Sequence, residues 1–138
     1  MSIAHISLPV GKHFIAMRDF YAAVLKPLGY EMIFGGGNTD AMCGMGTKAT
    51  GPNFFLGLGQ NSGTLTRYDG KMENRVAPIH LAFNATSTEQ VDEWYANAMK
   101  FGAVDNGAPG IRTYSTSFYA AFVLDPLGNN IEVIYMLS

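Results

Sequence analysis

Cysteine and charge are both scarce in this sequence, and each scarcity narrows the possible classes of protein. Cys43 is the only cysteine, which excludes an internal disulfide framework and is typical of a reducing compartment, so we expect a cytoplasmic protein. Charged residues make up 14% of the chain and the formal net charge is −2. Composition therefore gives no reason to expect nucleic acid or an anionic membrane as a partner. We interpret Cys43 as a small buried hydrophobe, since no base adjoins it in the sequence.

Long apolar runs are also missing. No run reaches the roughly 20 residues that a membrane-spanning helix needs, so we expect no membrane span. Residues 1–10 contain neither a basic segment nor a cleavage site, which predicts no signal peptide. The chain does have 48% hydrophobic residues over a length of 138. That is enough for one domain with a substantial core.

The sequence is organised as two copies of one unit joined by a polar, aperiodic linker. Each copy has the pattern of a strand, a helix and three further strands. The predicted module 1 is about 1–60, the linker about 61–76 and module 2 about 77–138. Strands are predicted at 3–10, 30–35, 39–46, 52–59, 77–84, 103–107, 117–124 and 130–136, and helices at 13–28 and 88–101.

The duplication is visible in the residues themselves. The run that starts at Phe20 (Phe-Tyr-Ala-Ala-Val-Leu-Lys) parallels the run that starts at Trp94, an offset of 94 − 20 = 74. His5 and His80 are 80 − 5 = 75 apart, and Phe55 matches Glu132 at 132 − 55 = 77. Two copies of so long a period indicate a duplicated domain rather than a solenoid.

Glu132 is the most informative residue, because a carboxylate inside an apolar strand is costly unless something pairs with it. His5 and His80 occupy similar positions in two other predicted strands. Strand alternation directs all three side chains away from the most apolar face of their strands. Two imidazoles and one carboxylate are a minimal ligand set for a divalent metal such as Zn, Mn, Fe, Ni or Co.

Each of these residues alone has an ordinary structural explanation. A single histidine in a strand is more often a hydrogen-bonded core residue than a metal ligand. Glu132 also fits an edge-strand charge that faces solvent, and His13 fits a surface or capping residue at the start of a helix. The joint placement at equivalent positions of the repeat is what favours a metal site.

Three segments together resemble the glyoxalase/bleomycin resistance/extradiol dioxygenase superfamily, whose members are also called vicinal oxygen chelate proteins. The segments begin at Phe20 (Phe-Tyr-Ala-Ala-Val-Leu-Lys-Pro-Leu-Gly-Tyr), at Gly107 (Gly-Ala-Pro-Gly-Ile-Arg) and at Tyr119 (Tyr-Ala-Ala-Phe-Val-Leu-Asp-Pro-Leu-Gly-Asn-Asn-Ile-Glu-Val). The resemblance implies an α+β fold in which two βαβββ modules form a cupped mixed sheet, usually as a homodimer. It leaves open whether the modules pair within a chain or between chains.

The resemblance also implies that His5, His80 and Glu132 are the metal ligands. The fourth ligand position, which is acidic in glyoxalase-like members, is Phe55 here. This departure argues against lactoylglutathione lyase. On the strand that carries Phe55, we predict that Phe54, Leu56 and Leu58 belong to the core.

Four further residues are candidates for the neighbourhood of the metal. Tyr114 and Tyr119 are candidate catalytic acids or hydrogen-bond donors, and Phe55 and Arg112 are candidate substrate-binding residues. Arg112 could bind a substrate carboxylate through two hydrogen bonds. The structural alternatives are a surface ion pair for Arg112 and core or rim positions for the aromatic residues.

Two functions remain open from the sequence. The three-ligand set favours a metal-dependent enzyme, of lyase, isomerase or dioxygenase type, that acts on a small oxygenated or aromatic molecule. Phe55 at a ligand position favours the alternative, a metal-free small-molecule or drug-binding protein of the bleomycin-resistance type. The substrate and the identity of the metal do not follow from the sequence.

Overall fold

A computed structural model of the protein describes residues 3–58, 78–112 and 115–137. Within these ranges no helix is long and apolar enough to cross a membrane. The predicted linker at about 61–76 lies outside the described residues. The elements, in chain order, are β1 (Ile6–Pro9), α1 (Phe14–Val24), β2 (Glu31–Gly35), β3 (Met42–Thr47), β4 (Gly51–Gly57), β5 (His80–Asn84), α2 (Thr88–Lys100), β6 (Val104–Arg112), β7 (Ser115–Leu124) and β8 (Asn130–Met136).

Two four-stranded sheets repeat the same topology. The strand order is β1-β4-β3-β2 in one and β5-β8-β7-β6 in the other. In each sheet the first and last strands of the module pair in parallel, and the remaining pairs are antiparallel. Equivalent strands therefore occupy equivalent places, which agrees with the predicted succession of strand, helix and three strands.

The described residues divide into two compact units. Unit 1 contains 3–22 and 29–58, and unit 2 contains 23–28, 78–112 and 115–137. The short segment 23–28 belongs to unit 2 because α2 binds its backbone: Asn97 Nδ2 donates to the Ala23 carbonyl at 2.7 Å, and Gln90 Nε2 donates to the Pro27 carbonyl at 3.0 Å.

In unit 1, alternate residues of the central strands turn towards α1. Tyr21 of α1 meets the Phe54 ring edge-on with centroids 4.8 Å apart, and both side chains are fully buried. Leu56 is buried as predicted, but Leu58 is 39% exposed. The core assignment of Leu58 is wrong because β4 ends at Gly57, so the strand alternation does not continue to it.

In unit 2, α2 buries Val91, Trp94 and Ala98 completely. The helix begins at Thr88, where the sequence predicts it, and the Ser87 hydroxyl accepts a hydrogen bond from the Gln90 N–H at 3.2 Å. The Gln90 side chain returns one residue further than in a standard capping box, because its Oε1 accepts from the backbone N–H of Thr86 at 2.7 Å. The candidate site lies on the face of the β5-β8-β7-β6 sheet that points away from α2.

Candidate metal site

The candidate site in unit 2 is built on the two strands that pair in parallel, β5 and β8. His80 and Asn130 are Cα partners, as are Ala82 and Glu132. His80 Nε2 lies 3.0 Å from Glu132 Oε2. The register therefore brings together two of the three side chains that the sequence predicts as ligands.

The two partners differ in their access to solvent. The side chain of His80 is 51% exposed, whereas that of Glu132 is 9% exposed. Glu132 is buried because β8 lies between β5 and β7 and its flanking residues, Ile131 and Val133, are core residues. The alternative that Glu132 is an edge-strand charge facing solvent is wrong.

A chain of hydrogen bonds extends from this pair along the sheet. Asn130 Nδ2 lies 2.8 Å from His80 Nδ1, and Asn106 Nδ2 donates to Asn130 Oδ1 at 3.0 Å. Neither asparagine was predicted as a site residue from the sequence, although strand alternation does place Asn130 on the same face as Glu132.

Phe122 connects the histidine to Arg112. Its ring stacks on the His80 ring with centroids 6.0 Å apart, and the Arg112 guanidinium lies 4.8 Å from its centroid. Phe122, on β7, is the Cα partner of Glu132 on β8 and of Gly107 on β6. A Cβ atom at Gly107 would lie 3.1 Å from the Phe122 ring, and the backbone φ of +150° there also favours glycine.

The hydrogen bonds of Arg112 go to the backbone. Its Nη2 donates to the carbonyl oxygens of Ala108 and Ala120. The register of β6 against β7 shifts three times, and such irregularities take backbone groups out of the regular ladder. Arg112 therefore binds backbone carbonyls of this uneven strand pair and stacks on Phe122.

Unit 1 carries the third predicted ligand in an equivalent position. Phe55 pairs with Ser7 on β1 just as Glu132 pairs with Ala82 on β5, at offsets of 82 − 7 = 75 and 132 − 55 = 77. His5 lies one residue before β1 and is exposed. Its ring meets the Phe55 ring edge-on at 5.3 Å. Where unit 2 pairs a histidine with a carboxylate, unit 1 pairs a histidine with an aromatic ring.

The Phe55 ring also has a glycine beneath it. A Cβ atom at Gly44, the Cα partner of Phe55 on β3, would lie 2.6 Å from Phe55 Cε1. In both units, then, the phenyl ring beside the histidine lies over a glycine of the neighbouring strand. The sequence signal for this arrangement is weak, because neither glycine belongs to a turn motif.

The structure does not bring Tyr119 to the histidine–glutamate pair. Tyr119 is three residues from Phe122 on β7, which pairs without a register shift with β8, so it lies on the opposite face of the sheet. Its hydroxyl donates to Asp92 Oδ1 of α2 at 2.7 Å. This hydrogen bond is the main reason that the pKa of Tyr119 is raised, and burial adds to it. Tyr114 lies outside the described residues.

The donors of unit 2 fit a divalent metal in both chemistry and spacing. Imidazole nitrogen and carboxylate oxygen are ordinary ligands of Zn, Mn, Fe, Co and Ni. Two donors bound at about 2.1 Å and at right angles to each other are about 3 Å apart, which matches the Nε2–Oε2 separation of 3.0 Å. Among residues 3–58, 78–112 and 115–137, no three His, Cys, Asp or Glu side chains form a group that could hold a metal.

The superfamily of this chain follows from its match to a family model. The model of the Glyoxalase family, described as "Glyoxalase/Bleomycin resistance protein/Dioxygenase superfamily", matches residues 2–133. The chain belongs to this superfamily. The predicted resemblance is thereby confirmed over nearly the whole sequence. No curated protein matches the chain.

Solved structures of the superfamily share its fold. A glyoxalase/bleomycin resistance protein from Albidiferax ferrireducens T118 is 22% identical, with a TM-score of 0.67 and 98% of each chain covered. A glyoxalase/bleomycin resistance protein/dioxygenase family enzyme from Burkholderia phytofirmans PsJN is 21% identical, with a TM-score of 0.66, covering 97% of this chain and 98% of that one.

A lactoylglutathione lyase from Agrobacterium tumefaciens is also similar, at 19% identity and a TM-score of 0.64, covering 97% of this chain and 92% of that one. At these identities the likenesses show the fold alone. The predicted α+β, glyoxalase-like fold is confirmed.

Proposed function

We propose that this superfamily member is a metal-dependent enzyme that acts on a small oxygenated or aromatic molecule. The observation that carries the proposal is the contact between the half-exposed imidazole of His80 and the buried carboxylate of Glu132. A buried carboxylate needs a compensating partner. The spacing of this one from His80 suits joint ligation of one metal.

We propose His80, Glu132 and His5 as the ligands. Glu132 contributes negative charge from within the sheet, and His80 contributes a nitrogen at the solvent boundary. A bound divalent cation would supply Lewis acidity and coordination positions for the substrate. His5 is the third proposed ligand because it occupies the place in unit 1 that His80 occupies in unit 2.

The residues around the pair have separate proposed roles. Phe122 orients the His80 ring by stacking on it, and Arg112 packs over the Phe122 ring while its Nη2 is engaged by backbone carbonyls. This arrangement supports a positioning role for Arg112 more than the predicted binding of a substrate carboxylate. The Tyr119 hydroxyl is engaged by Asp92, which supports a structural role, while Tyr114 remains a predicted hydrogen-bond donor.

One observation favours the alternative of a metal-free binding protein. Phe55 occupies the equivalent of the Glu132 position and packs edge-on against His5. An exposed imidazole with an aromatic ring beside it can bind a flat apolar ligand without any metal. In that case Phe55 contacts the ligand and His5 has no ligating role.

Metal content of the purified protein separates the two functions. We expect near-stoichiometric divalent metal by mass spectrometry in protein purified without chelator, and strongly reduced metal in Glu132→Gln and His80→Asn. Glu93→Gln on α2 and His13→Asn are matched controls, since both residues are exposed, and they should retain the metal. Metal-free wild type that also fails to take up added Zn²⁺ or Mn²⁺ would support the binding protein instead.

Assembly and location are further parts of the proposal. We propose a homodimer, because β6 lies at an end of its sheet and exposes Val104 and Ile111 at 59% and 60%, an apolar edge of the kind that partners cover. Sedimentation at micromolar concentration should give the mass of two chains, and a single-chain mass would contradict the proposal. The lone cysteine supports a cytoplasmic location.

A further inference from the structure

The contacts of His80 fix which of its nitrogens carries the proton. Glu132 is a hydrogen-bond acceptor when ionised, so in a neutral imidazole Nε2 holds the proton and donates it to Oε2. Nδ1 is then an acceptor, and Asn130 presents its Nδ2 amide to it at 2.8 Å. The other end of that carboxamide, Oδ1, accepts from Asn106 at 3.0 Å. Only this arrangement satisfies all three contacts with a neutral ring.

Ligation of a metal through Nε2 requires the opposite tautomer. The Nε2 lone pair must face the cation, so the proton has to reside on Nδ1, and a neighbouring oxygen must then accept it. A carboxamide can serve both tautomers, because half a turn about its last bond exchanges the oxygen and the amide nitrogen. Asn106 also carries a carboxamide and can follow the same exchange. A carboxylate or an apolar side chain at position 130 could serve one tautomer at most.

We propose that Asn130, supported by Asn106, is a positioning residue that can pair with either tautomer of His80. Together with Glu132 it holds the Nε2–H form in the metal-free protein, and by turning its carboxamide it holds the Nδ1–H form when Nε2 binds a metal. The metal-bound half of this proposal, the Nδ1–H form, rests on the proposed function. The metal-free half, the Nε2–H form, does not.

The test compares three variants with the wild type in the metal-free state. Nitrogen-15 NMR of the imidazoles in alkaline buffer should show the Nε2–H tautomer for His80 in the wild type. Asn130→Asp supplies only acceptors and should move part of the population to the Nδ1–H tautomer, because the new carboxylate and Glu132 then compete for the single ring proton. Asn130→Leu should keep the Nε2–H tautomer, because Glu132 still accepts its proton. Asn84→Asp is the matched control, since it places the same charge on the same face of β5 as His80, and it should behave as the wild type.

Zinc affinity measured by calorimetry gives a second readout. Loss of a partner that orients a ligating histidine typically costs about 10- to 100-fold in metal affinity, so Asn130→Leu should bind zinc at least about 10-fold more weakly. Asn130→Asp should bind it more tightly than Asn84→Asp does, because the carboxylate at position 130 accepts the Nδ1 proton and also lies closer to the metal.

The outcomes separate the proposal from the function on which its second half rests. An unchanged Nε2–H tautomer in Asn130→Asp would overturn the positioning role even if zinc binds normally. Equal zinc affinity in Asn130→Asp and Asn84→Asp would overturn the metal-bound half. A wild type that binds no zinc, with the tautomer still shifting in Asn130→Asp, would overturn the proposed function and the metal-bound half while establishing the metal-free half.

Discussion

At the residue scale, the burial of Glu132 is the feature that most needs an explanation. A buried carboxylate contributes little net stability, because removing it from water costs about as much as its contact with a partner returns. An apolar residue at position 132 would therefore stabilise the fold about as well as Glu132 does. Its presence between core residues Ile131 and Val133 is the reason that we propose a metal bound by it.

Replacement of Glu132 by leucine tests this interpretation of the pair. Because His80 is half-exposed and can be solvated by water, we expect the metal-free Glu132→Leu protein to be as stable as the wild type or up to about 2 kcal/mol more stable. Val133→Ala leaves a cavity at the adjacent core position and should lower the free energy of unfolding by about 2 kcal/mol. Urea unfolding measures both. A Glu132→Leu protein that loses as much as Val133→Ala would show that the carboxylate is structural.

Cys43 gives a second prediction at this scale. Its side chain is fully buried, and that burial raises the pKa of the thiol, so access and thiolate formation are both suppressed. We expect no reaction with a thiol reagent in native protein and one thiol per chain after unfolding in guanidinium. Rapid labelling of native protein would contradict the interpretation of Cys43 as an inert core residue.

Single residues also show how much of the candidate site could be predicted from the sequence. Glu132 was predictable because an isolated carboxylate in an apolar strand is conspicuous, and its partner His80 followed from the repeat. The contacts of Arg112 were not predictable, since they depend on carbonyls that an irregular strand pair exposes. The orientation of Tyr119 was not predictable either. Alternation along β7 places Tyr119 on the opposite face from Phe122, but which face carries the site follows only from the register of β7 against β8.

At the scale of elements, α2 was predicted more accurately than β6. α2 was predicted at 88–101 and is observed at Thr88–Lys100, because its cap and apolar stripe are local signals. β6 was predicted at 103–107 and is observed to Arg112. Its glycine-rich and proline-containing second half has the composition of a loop and pairs with β7 only through register shifts. That pairing depends on tertiary context, which local composition does not contain.

The β3–β4 pair contains a position where only glycine fits. Its register shifts between Met45 and Gly46, and a Cβ atom at Gly46 would overlap the backbone carbonyl oxygen of Gly51. Because a backbone oxygen cannot move aside as a side chain can, we expect Gly46→Ala to lose about 3 kcal/mol.

Gly110→Ala is the control for this substitution. Gly110 also lies in a strand, and nothing lies within 4 Å of a Cβ placed there, so the change should be neutral or stabilising by about 0.5 kcal/mol. Thermal unfolding compares the two. Equal effects would show that the close approach at Gly46 relaxes without strain.

The start of α2 predicts a pH dependence. The backbone N–H groups at the helix start and the hydroxyls of Ser87 and Thr88 lower the pKa of Glu89 below its ordinary value of 4.5. A carboxyl whose pKa is lowered by folding stabilises the folded state above its unfolded pKa and loses this effect as the pH falls through the folded pKa.

Glu89→Gln should therefore melt at a lower temperature than the wild type at neutral pH, with the difference vanishing at an acidic pH below the folded pKa of Glu89, where both forms are neutral. Glu93→Gln, one turn further along α2, is the control and should show a smaller difference at neutral pH because the helix dipole acts mainly within the first turn. A Glu89→Gln difference that is the same at both pH values would contradict the assigned cause.

At the scale of the whole molecule, the two units keep one topology and differ in the chemistry of equivalent positions. Phe55 and Glu132 occupy the same place in β4 and β8, while His5 and His80 are alike. Such divergence is expected of a duplicated unit in which one copy keeps a carboxylate and the other acquires an aromatic ring. The fold class was predictable from the repeat and the family resemblance. The substrate was not, since family members share a fold across different activities.

Titration of the metal-depleted protein with Zn²⁺, followed by calorimetry, tests the central claim most directly, and it compares the wild type with Glu132→Gln and with the exposed control Glu93→Gln. We expect the wild type and the control to bind one zinc ion per chain with equal affinity, and Glu132→Gln to bind it at least about 100-fold more weakly, since a charged ligand is replaced by a neutral one. Equal zinc affinity in Glu132→Gln and the wild type would show that the His80–Glu132 pair is not a metal site.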